Sequence, residues 1–262
     1  MAKVCQLFSG SKGNSIYISS SGGKFLVDAG VSAKRLDTAL SQIGVNPDEL
    51  DGILVTHEHS DHIKGLRVFA TKHNIPVFAD EKVIENMLAT GNVTDKMTAF
   101  PTQENMLINK TEIIPFVQSH DSVACLGYRL NTPDGRSIAV CTDTGYVTDD
   151  AKSKTAGCDL IFLEFNHEVT MLQNGSYPYP LKQRILSTKG HLSNFSASEF
   201  AKELAVGGTT RFILSHLSAE NNTPDIARQA ALAALSECGL KEESDFRLKV
   251  SPPENNERQI SL

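Results

Sequence analysis

The sequence predicts an α/β protein in which two β-sheets pack face to face with helices outside. Three observations lead there. Each half of the chain opens with short strand patterns and then alternates strands with helical patterns. No linker, repeat or low-complexity stretch separates the halves, so residues 1–262 read as a single domain. Histidines and aspartates also recur just past apolar strand candidates, where α/β folds place ligands.

The elements follow in order. Val4 to Phe8, Asn14 to Ser19 and Lys24 to Val27 are β candidates separated by Gly/Ser turns. Ser9 to Ser15 is Gly/Ser-rich but lacks the spacing of a phosphate-binding loop, so a turn is expected. Ser32 is placed to cap a helix from Ala33 to Ile43. Strand Ile53 to Val55 precedes helix Ile63 to His73, strand Pro76 to Ala79 and helix Glu81 to Thr90. The middle holds strands Thr111 to Gln118, Ala124 to Asn131 and Ser137 to Cys141, with a turn at Pro133-Asp134-Gly135. Leu160 to Leu163 reads as a buried strand. Asn166 to Lys189 reads as helical with a break at Tyr177-Pro178-Tyr179-Pro180. Helix Ser196 to Leu204 with Ser196 near its cap, strand Arg211 to Leu214, helix Pro224 to Cys238 and strand Phe246 to Val250 complete the set. The polar tail from Ser251 is expected to be loose.

Composition narrows the function. Hydrophobic residues make up 40% and charged residues 21%, ordinary for a soluble globular chain with a sizeable core. The net charge of −6 argues against general attraction to nucleic acid or anionic membranes, although a metal site can reverse the sign locally. Cys5, Cys125, Cys141, Cys158 and Cys238 are scattered and odd in number, which points to free thiols in a reducing compartment. The start, Met1-Ala2-Lys3-Val4-Cys5, has no apolar signal segment, and no apolar run is long enough to span a bilayer. A cytoplasmic protein with no membrane partner is expected.

The densest chemistry lies in Thr56-His57-Glu58-His59-Ser60-Asp61-His62, after the apolar run Ile53-Leu54-Val55. Alternation along extended chain puts His57 and His59 on one side, and Asp61 and His62 fall at the turn into a helix. One cation can be held from the strand end and a second from the helix start. Imidazole and carboxylate donors without cysteine suit zinc, manganese or iron. His120, Asp143 and His216 each follow an apolar strand candidate. Any one of these alone is more often structural; three in the same context, after the cluster, point to metal.

The order of these motifs resembles the metallo-β-lactamase-fold superfamily. That resemblance implies a four-layer αβ/βα sandwich with its site along one edge of the two sheets. It implies a first metal on His57, His59 and His120, a second on Asp61, His62 and His216, and Asp143 bridging both. Asp28 in Phe25-Leu26-Val27-Asp28-Ala29-Gly30 matches the superfamily's early, supporting Asp. Two divalent cations, two aspartates and a bridging hydroxide leave the site near about +1, which favours an anionic substrate.

Asp143 rather than Cys at the bridging position argues against the common zinc β-lactamases. Ser119-His120-Asp121-Ser122 followed by Gly127-Tyr128-Arg129-Leu130 resembles the transfer-RNA 3′-processing nucleases, but no Gly/Pro-rich exosite arm is visible. The chain is also too short for the inserted domain of the β-CASP nucleases. Glu164-Phe165-Asn166-His167, Gly190-His191-Leu192-Ser193-Asn194 and Ser215-His216-Leu217-Ser218 with Asn221-Asn222 resemble the bacterial YycJ/WalJ branch, a group associated with 5′-to-3′ exonuclease activity on DNA. Glu168 stands where that pattern has Asp.

These readings imply a hydrolase with two divalent metal ions and a nucleic acid substrate, DNA before RNA. Asp61 and His191 are its expected catalytic residues, with His191 at a phosphate oxygen or the leaving oxygen; the alternative for His191 is a helix-start role. His167 and Asn194 are expected to bind substrate. Lys182, Arg184 and Lys189 either meet a nucleic-acid backbone or form a solvated helix face. His73 receives no role. The competing readings are a small-molecule hydrolase of thioesters, lactones or cyclic phosphodiesters, and a non-catalytic metal-binding module.

Overall fold

The computed structural model describes residues 1–255 and 259–262 and divides the chain into two compact units. The first comprises residues 1–115, 122–136 and 252–262. It opens with β1 (Lys3–Phe8), β2 (Ser15–Ser20) and β3 (Gly23–Val27), an antiparallel meander. Helix α1 (Ala33–Gln42) follows; it buries Leu36, Ala39 and Leu40, one face at helical spacing. Ser32 occupies its N-cap position, but its side chain makes no capping bond.

β4 (Gly52–Leu54) joins β3 in parallel, with Val27 beside Leu54, so both strands end at the same level. The helix expected from Ile63 to His73 is two: α2 (Ser60–Ile63) and α3 (Leu66–His73). Gly65 separates them, and a Cβ there would lie 2.0 Å from the Val31 carbonyl oxygen, so close backbone approach requires glycine. β5 (Val77–Ala79), α4 (Glu81–Ala89) and β6 (Ala99–Pro101) extend the parallel part. β7 (Met106–Ile108), β8 (Thr111–Val117) and β9 (Leu126–Asn131) come next, β7 and β8 antiparallel. Leu26, Ile53, Leu66, Phe69 and Met87 are fully buried in this unit's core.

The second unit comprises residues 116–121 and 137–251. β10 (Ser137–Cys141), β11 (Leu160–Glu164), β12 (Arg211–Ser215) and β13 (Arg247–Val250) run parallel in that order. β10 and β11 are buried along their whole length, which is why they read as unbroken apolar runs rather than alternating ones. Helices α5 (Asp149–Thr155), α6 (Val169–Asn174), α7 (Tyr179–Leu186), α8 (Asn194–Val206) and α9 (Pro224–Glu237) complete the unit. α8 starts two residues earlier than expected, because the Ser193 side chain, not that of Ser196, accepts from the Ser196 N–H.

The tail is not loose throughout. Ile260 and Ser261 form β14, which pairs antiparallel with β1 in the first unit and closes the order β14-β1-β2-β3-β4-β5-β6. Leu262 is buried and the Asn255 N–H donates to the Leu7 carbonyl. Among the described residues no helix is long and apolar enough to cross a membrane.

Candidate metal centre

In the first unit, the parallel ends of β3 and β4 bring Asp28 beside Thr56, and the Asp28 N–H donates to the Leu54 carbonyl at 2.9 Å. Asp28 accepts from the Thr56 N–H at 2.8 Å and from its hydroxyl at 2.9 Å. Its carboxylate takes the Nδ1–H of His62 at 2.7 Å. Burial raises the Asp28 carboxyl, and the lowering by His62 and Thr56 offsets this only in part. His57 and His62 are fully buried. The His57 ring centroid lies 4.6 Å from that of His59 and 4.1 Å from that of His62. His62 Nε2 lies 3.5 Å from Asp61 Oδ2 and 3.1 Å from the Asn14 amide nitrogen. The four residues of the dense motif thus converge, as the strand-then-helix reading required.

Asn14 was not anticipated as part of this cluster. It sits in the Gly/Ser loop read as a simple turn, yet its amide also reaches Asp61 Oδ2 at 3.3 Å. Gly30 holds the same loop close: a Cβ there would lie 1.7 Å from the Asp61 carbonyl oxygen. The Gly-Tyr-Arg element serves the cluster from β9, where the buried Tyr128 hydroxyl donates to the Val55 carbonyl at 2.7 Å.

In the second unit, Asp143, Glu164, His191 and His216 each offer a ligand atom within 4.8 Å of the others. Asp143 and His216 follow β10 and β12 in left-handed backbone, with φ of 63° and 57°. Asp28 repeats this with φ of 64° after β3. Such backbone is costly for non-glycine residues and clusters at functional sites.

Glu164 organises this group. It is fully buried at the end of β11. Oε1 accepts from Nδ1 of His191 at 2.8 Å and from Nδ1 of His216 at 3.0 Å. Oε2 accepts from the backbone N–H groups of Thr144 and Leu192, each at 3.1 Å. Burial works to raise its carboxyl, but the two imidazoles outweigh burial and hold it well below the usual range. His216 Nε2 lies 3.4 Å from Asp143 Oδ1. His120 donates from Nδ1 to the Gly190 carbonyl at 3.0 Å, and burial lowers its pKa. The His191 ring stands 5.0 Å from that of His120 and 5.3 Å from that of His216.

This donor set fits a divalent cation. Nδ1 of His62 is held by Asp28, Nδ1 of His216 by Glu164 and Nδ1 of His120 by a carbonyl. Anchoring Nδ1–H on an oxygen fixes the tautomer that presents Nε2 as a lone pair, the arrangement metal-binding histidines favour.

The two expected substrate contacts, Asn194 and His167, both lie in the interior of the second unit. Asn194 is buried, and its amide exchanges hydrogen bonds with Asn222 at 3.0 and 2.9 Å. Asn222 in turn donates to the carbonyls of Phe165 and Asn166. The pair fastens α8 to the end of β11, so the Asn194 side chain is engaged within the fold. His167 is also buried, its carbonyl accepts from the Asn194 N–H, and neither ring nitrogen has a partner among the described residues. Burial pushes its pKa down to about 4.

Of the three cations, Lys182 donates to the Gln173 and Gly175 carbonyls and Arg184 pairs with Asp121; Lys189 is exposed and makes no ion pair among the described residues. Glu168 caps α6 by accepting from the Met171 N–H. Glu164, like Asn14, belongs to these clusters without having been assigned from the sequence. Its signal was an acid closing the apolar run Leu160 to Leu163, the same signal that marked Asp143.

Comparison with known proteins identifies the class first. The metallo-beta-lactamase fold protein YhfI from Bacillus subtilis superposes with a TM-score of 0.73 at 19% identity, covering 97% of this chain and 98% of that one. Human tRNase Z, short form, superposes with a TM-score of 0.66 at 16% identity, covering 100% and 99%. The fold is therefore the metallo-β-lactamase α/β sandwich. Residues 24–217 match the family model described as the beta-lactamase superfamily domain. Exodeoxyribonuclease WalJ of Streptococcus pneumoniae is 39% identical over 256 residues, 96% of this chain and 95% of its own. Exodeoxyribonuclease YycJ of Bacillus anthracis is 38% identical over 251 residues, 94% of each. The chain belongs to the beta-lactamase superfamily and, within it, to the family of WalJ and YycJ.

Proposed function

We propose that this protein is a metal-dependent phosphodiesterase that removes nucleotides from DNA, 5′ to 3′, using two divalent cations. The observation that carries the reading is full-length similarity to two proteins named as exodeoxyribonucleases. The anchored imidazoles of both units support it. His57, His59 and His120 would hold one ion, Asp61, His62 and His216 the other, and Asp143 both; zinc, manganese and iron all suit these donors. Such a pair of cations supplies Lewis-acid charge to a phosphodiester and brings the pKa of water towards neutrality.

The chain's own residues do the rest. Asp28 and Glu164 hold the ligand imidazoles in the tautomer that can bind a cation. Glu164 also holds Nδ1–H of His191, so that only in its imidazolium form does the ring carry the second proton, on Nε2, that would pass to the leaving oxygen and leave the neutral Nδ1–H ring behind. His191 is the more exposed member of that pair, with its side chain 16% accessible against 0% for Glu164. A proton donor needs this access to substrate; a purely structural histidine does not.

The test is digestion of 5′- and 3′-labelled DNA and RNA, with thioester and cyclic-nucleotide substrates in parallel, in zinc, manganese and iron. Stepwise release of the 5′ label from DNA is expected. Turnover of a small ester with no DNA cut in any metal would replace this reading with the small-molecule hydrolase. His191→Ala is expected to lower turnover by about 10²–10⁴ while bound metal, measured on the same preparation, stays at the wild-type level. Loss of one metal equivalent would make His191 a ligand instead.

A further inference from the structure

An arginine is held at the edge of the second unit's cluster by contacts that run atom by atom. His120 donates from Nδ1 to the Gly190 carbonyl, so Nε2 is the atom it presents to a cation. Asp121 Oδ1 lies 3.3 Å from that Nε2, and Oδ2 of the same carboxylate accepts from Nε of Arg184. The guanidinium nitrogen on Oδ2 is therefore within about 8 Å of His120 Nε2. The His191 ring stands 5.0 Å from that of His120.

The backbone fixes this arrangement. Arg184 lies in the last turn of α7, beside buried Ile185. The His191 N–H donates to the Ile185 carbonyl at 3.0 Å. A Cβ on Gly190 would lie 2.1 Å from that carbonyl oxygen and 2.4 Å from the Arg184 carbonyl oxygen, so the end of α7 rests directly on the Gly190–His191 backbone. The end of α7, His120 and His191 are thus one packed group within the second unit. The Arg184 side chain is nonetheless 50% exposed and that of Asp121 29%. An ion pair so exposed adds little to stability, so the fold gives little reason for it. Substrate chemistry gives a better one. A carboxylate beside a cation site repels an anionic substrate, and Arg184 cancels that charge. A guanidinium also has five N–H donors in a planar fork, more than one carboxylate can take, and the fork matches a phosphate.

We propose that Arg184 grips the phosphate next to the linkage being cut, and that Asp121 is the positioning residue that aims its guanidinium. This rests on the exonuclease reading, because a small ester has no neighbouring phosphate. The contact is to charge and is independent of base sequence.

The test uses the full-length, metal-loaded enzyme and DNA ends that carry one uncharged methylphosphonate, placed at each of the first linkages in turn. For the wild type, one position beside the cut linkage should raise KM for the first cut by about 10- to 100-fold. Arg184→Ala should raise KM on natural DNA by a similar factor and lower the slope of log affinity against log salt by about one. On the end neutralised at that one position the variant should lose less than about threefold, since the charge it would have met is already gone. Arg184→Lys keeps the charge and should restore the salt slope but only part of KM, which separates a phosphate contact from a folding defect. Asp121→Ala should also raise KM, and the double variant should be no worse than Arg184→Ala alone. Additive losses would remove Asp121 from the assignment. Bound metal in Arg184→Ala should stay at the wild-type level. Its loss would make the pair a support of the metal centre, and penalties equal at every linkage, or absent, would overturn the phosphate contact; either leaves the exonuclease reading intact. Wild-type enzyme that cuts no DNA would overturn both.

Discussion

Glu164 holds Nδ1 of both His191 and His216 and accepts two backbone N–H groups besides. A glutamine there has one acceptor oxygen and a donor amide, so it cannot satisfy all four donors. Glu164→Gln is expected to lower both metal affinity, through His216, and kcat, through His191, each by about 10–100-fold. His191→Ala should lower kcat alone. A metal titration and single-turnover rates on the two variants would show the contrast, and wild-type affinity together with wild-type rate in Glu164→Gln would end the assignment of Glu164 as a positioning residue. Legibility at this scale followed density and context. Four ligand types in six residues announced His57 to His62, and strand-end positions announced Asp143 and His216. The Asn194–Asn222 pair was not legible, because an asparagine in a motif looks the same whether it meets substrate or a buried Asn222. Asn14 was hidden because its loop residues are also those of an ordinary turn.

At the scale of elements, His73 had no role in the sequence, yet it clasps α1 and α3 to the turn before β4. Its Nε2 lies 2.7 Å from Asp37 and its Nδ1 2.5 Å from Asp48, while Lys72 reaches Asp37 at 2.6 Å. Burial works to raise the Asp37 carboxyl, but hydrogen bonds from Lys72 and His73 outweigh it and the net shift is downward. A carboxyl lowered in the folded state contributes stability above its unfolded value of about 3.9, and that contribution is lost as pH falls through the folded value. Asp37→Asn should therefore cost about 1 kcal/mol at neutral pH, with the difference from wild type closing below about pH 4. Urea unfolding of the pair across that range is the measurement, and a gap that stays constant with pH would show that the clasp is not ionic. Most strand and helix positions were legible from local pattern, because β10 and β11, buried on both faces, read as unbroken apolar runs and α1, buried on one, reads at helical spacing. The break between α2 and α3 was not, since the need for Gly65 arises from Val31, distant in sequence.

For the whole molecule, strand order lay beyond local pattern. Nothing in the polar tail reveals that Ile260 pairs with Val4, a contact between the two ends of the chain. The distribution of charge bears on what the molecule needs to be stable. A chain of net charge −6 that holds Asp28, Asp143 and Glu164 among buried imidazoles gathers acid where burial disfavours it. Bound cations relieve that cost in the folded state only, so they stabilise by mass action. At a free metal concentration of about 100 to 1,000 times Kd the gain is roughly 2.7–4.1 kcal/mol. For a chain of this size, where each kcal/mol moves Tm by about 2–4 °C, chelation should lower Tm by about 5–15 °C. Zinc, manganese or iron should restore it in a concentration-dependent way, and Asp61→Ala, which removes a ligand proposed for the second of two proposed ions, should recover less of the shift. Thermal unfolding with and without chelator decides the matter: one Tm in all conditions would mean that the buried acids are balanced by the imidazoles alone and that the centre does not hold metal with useful affinity.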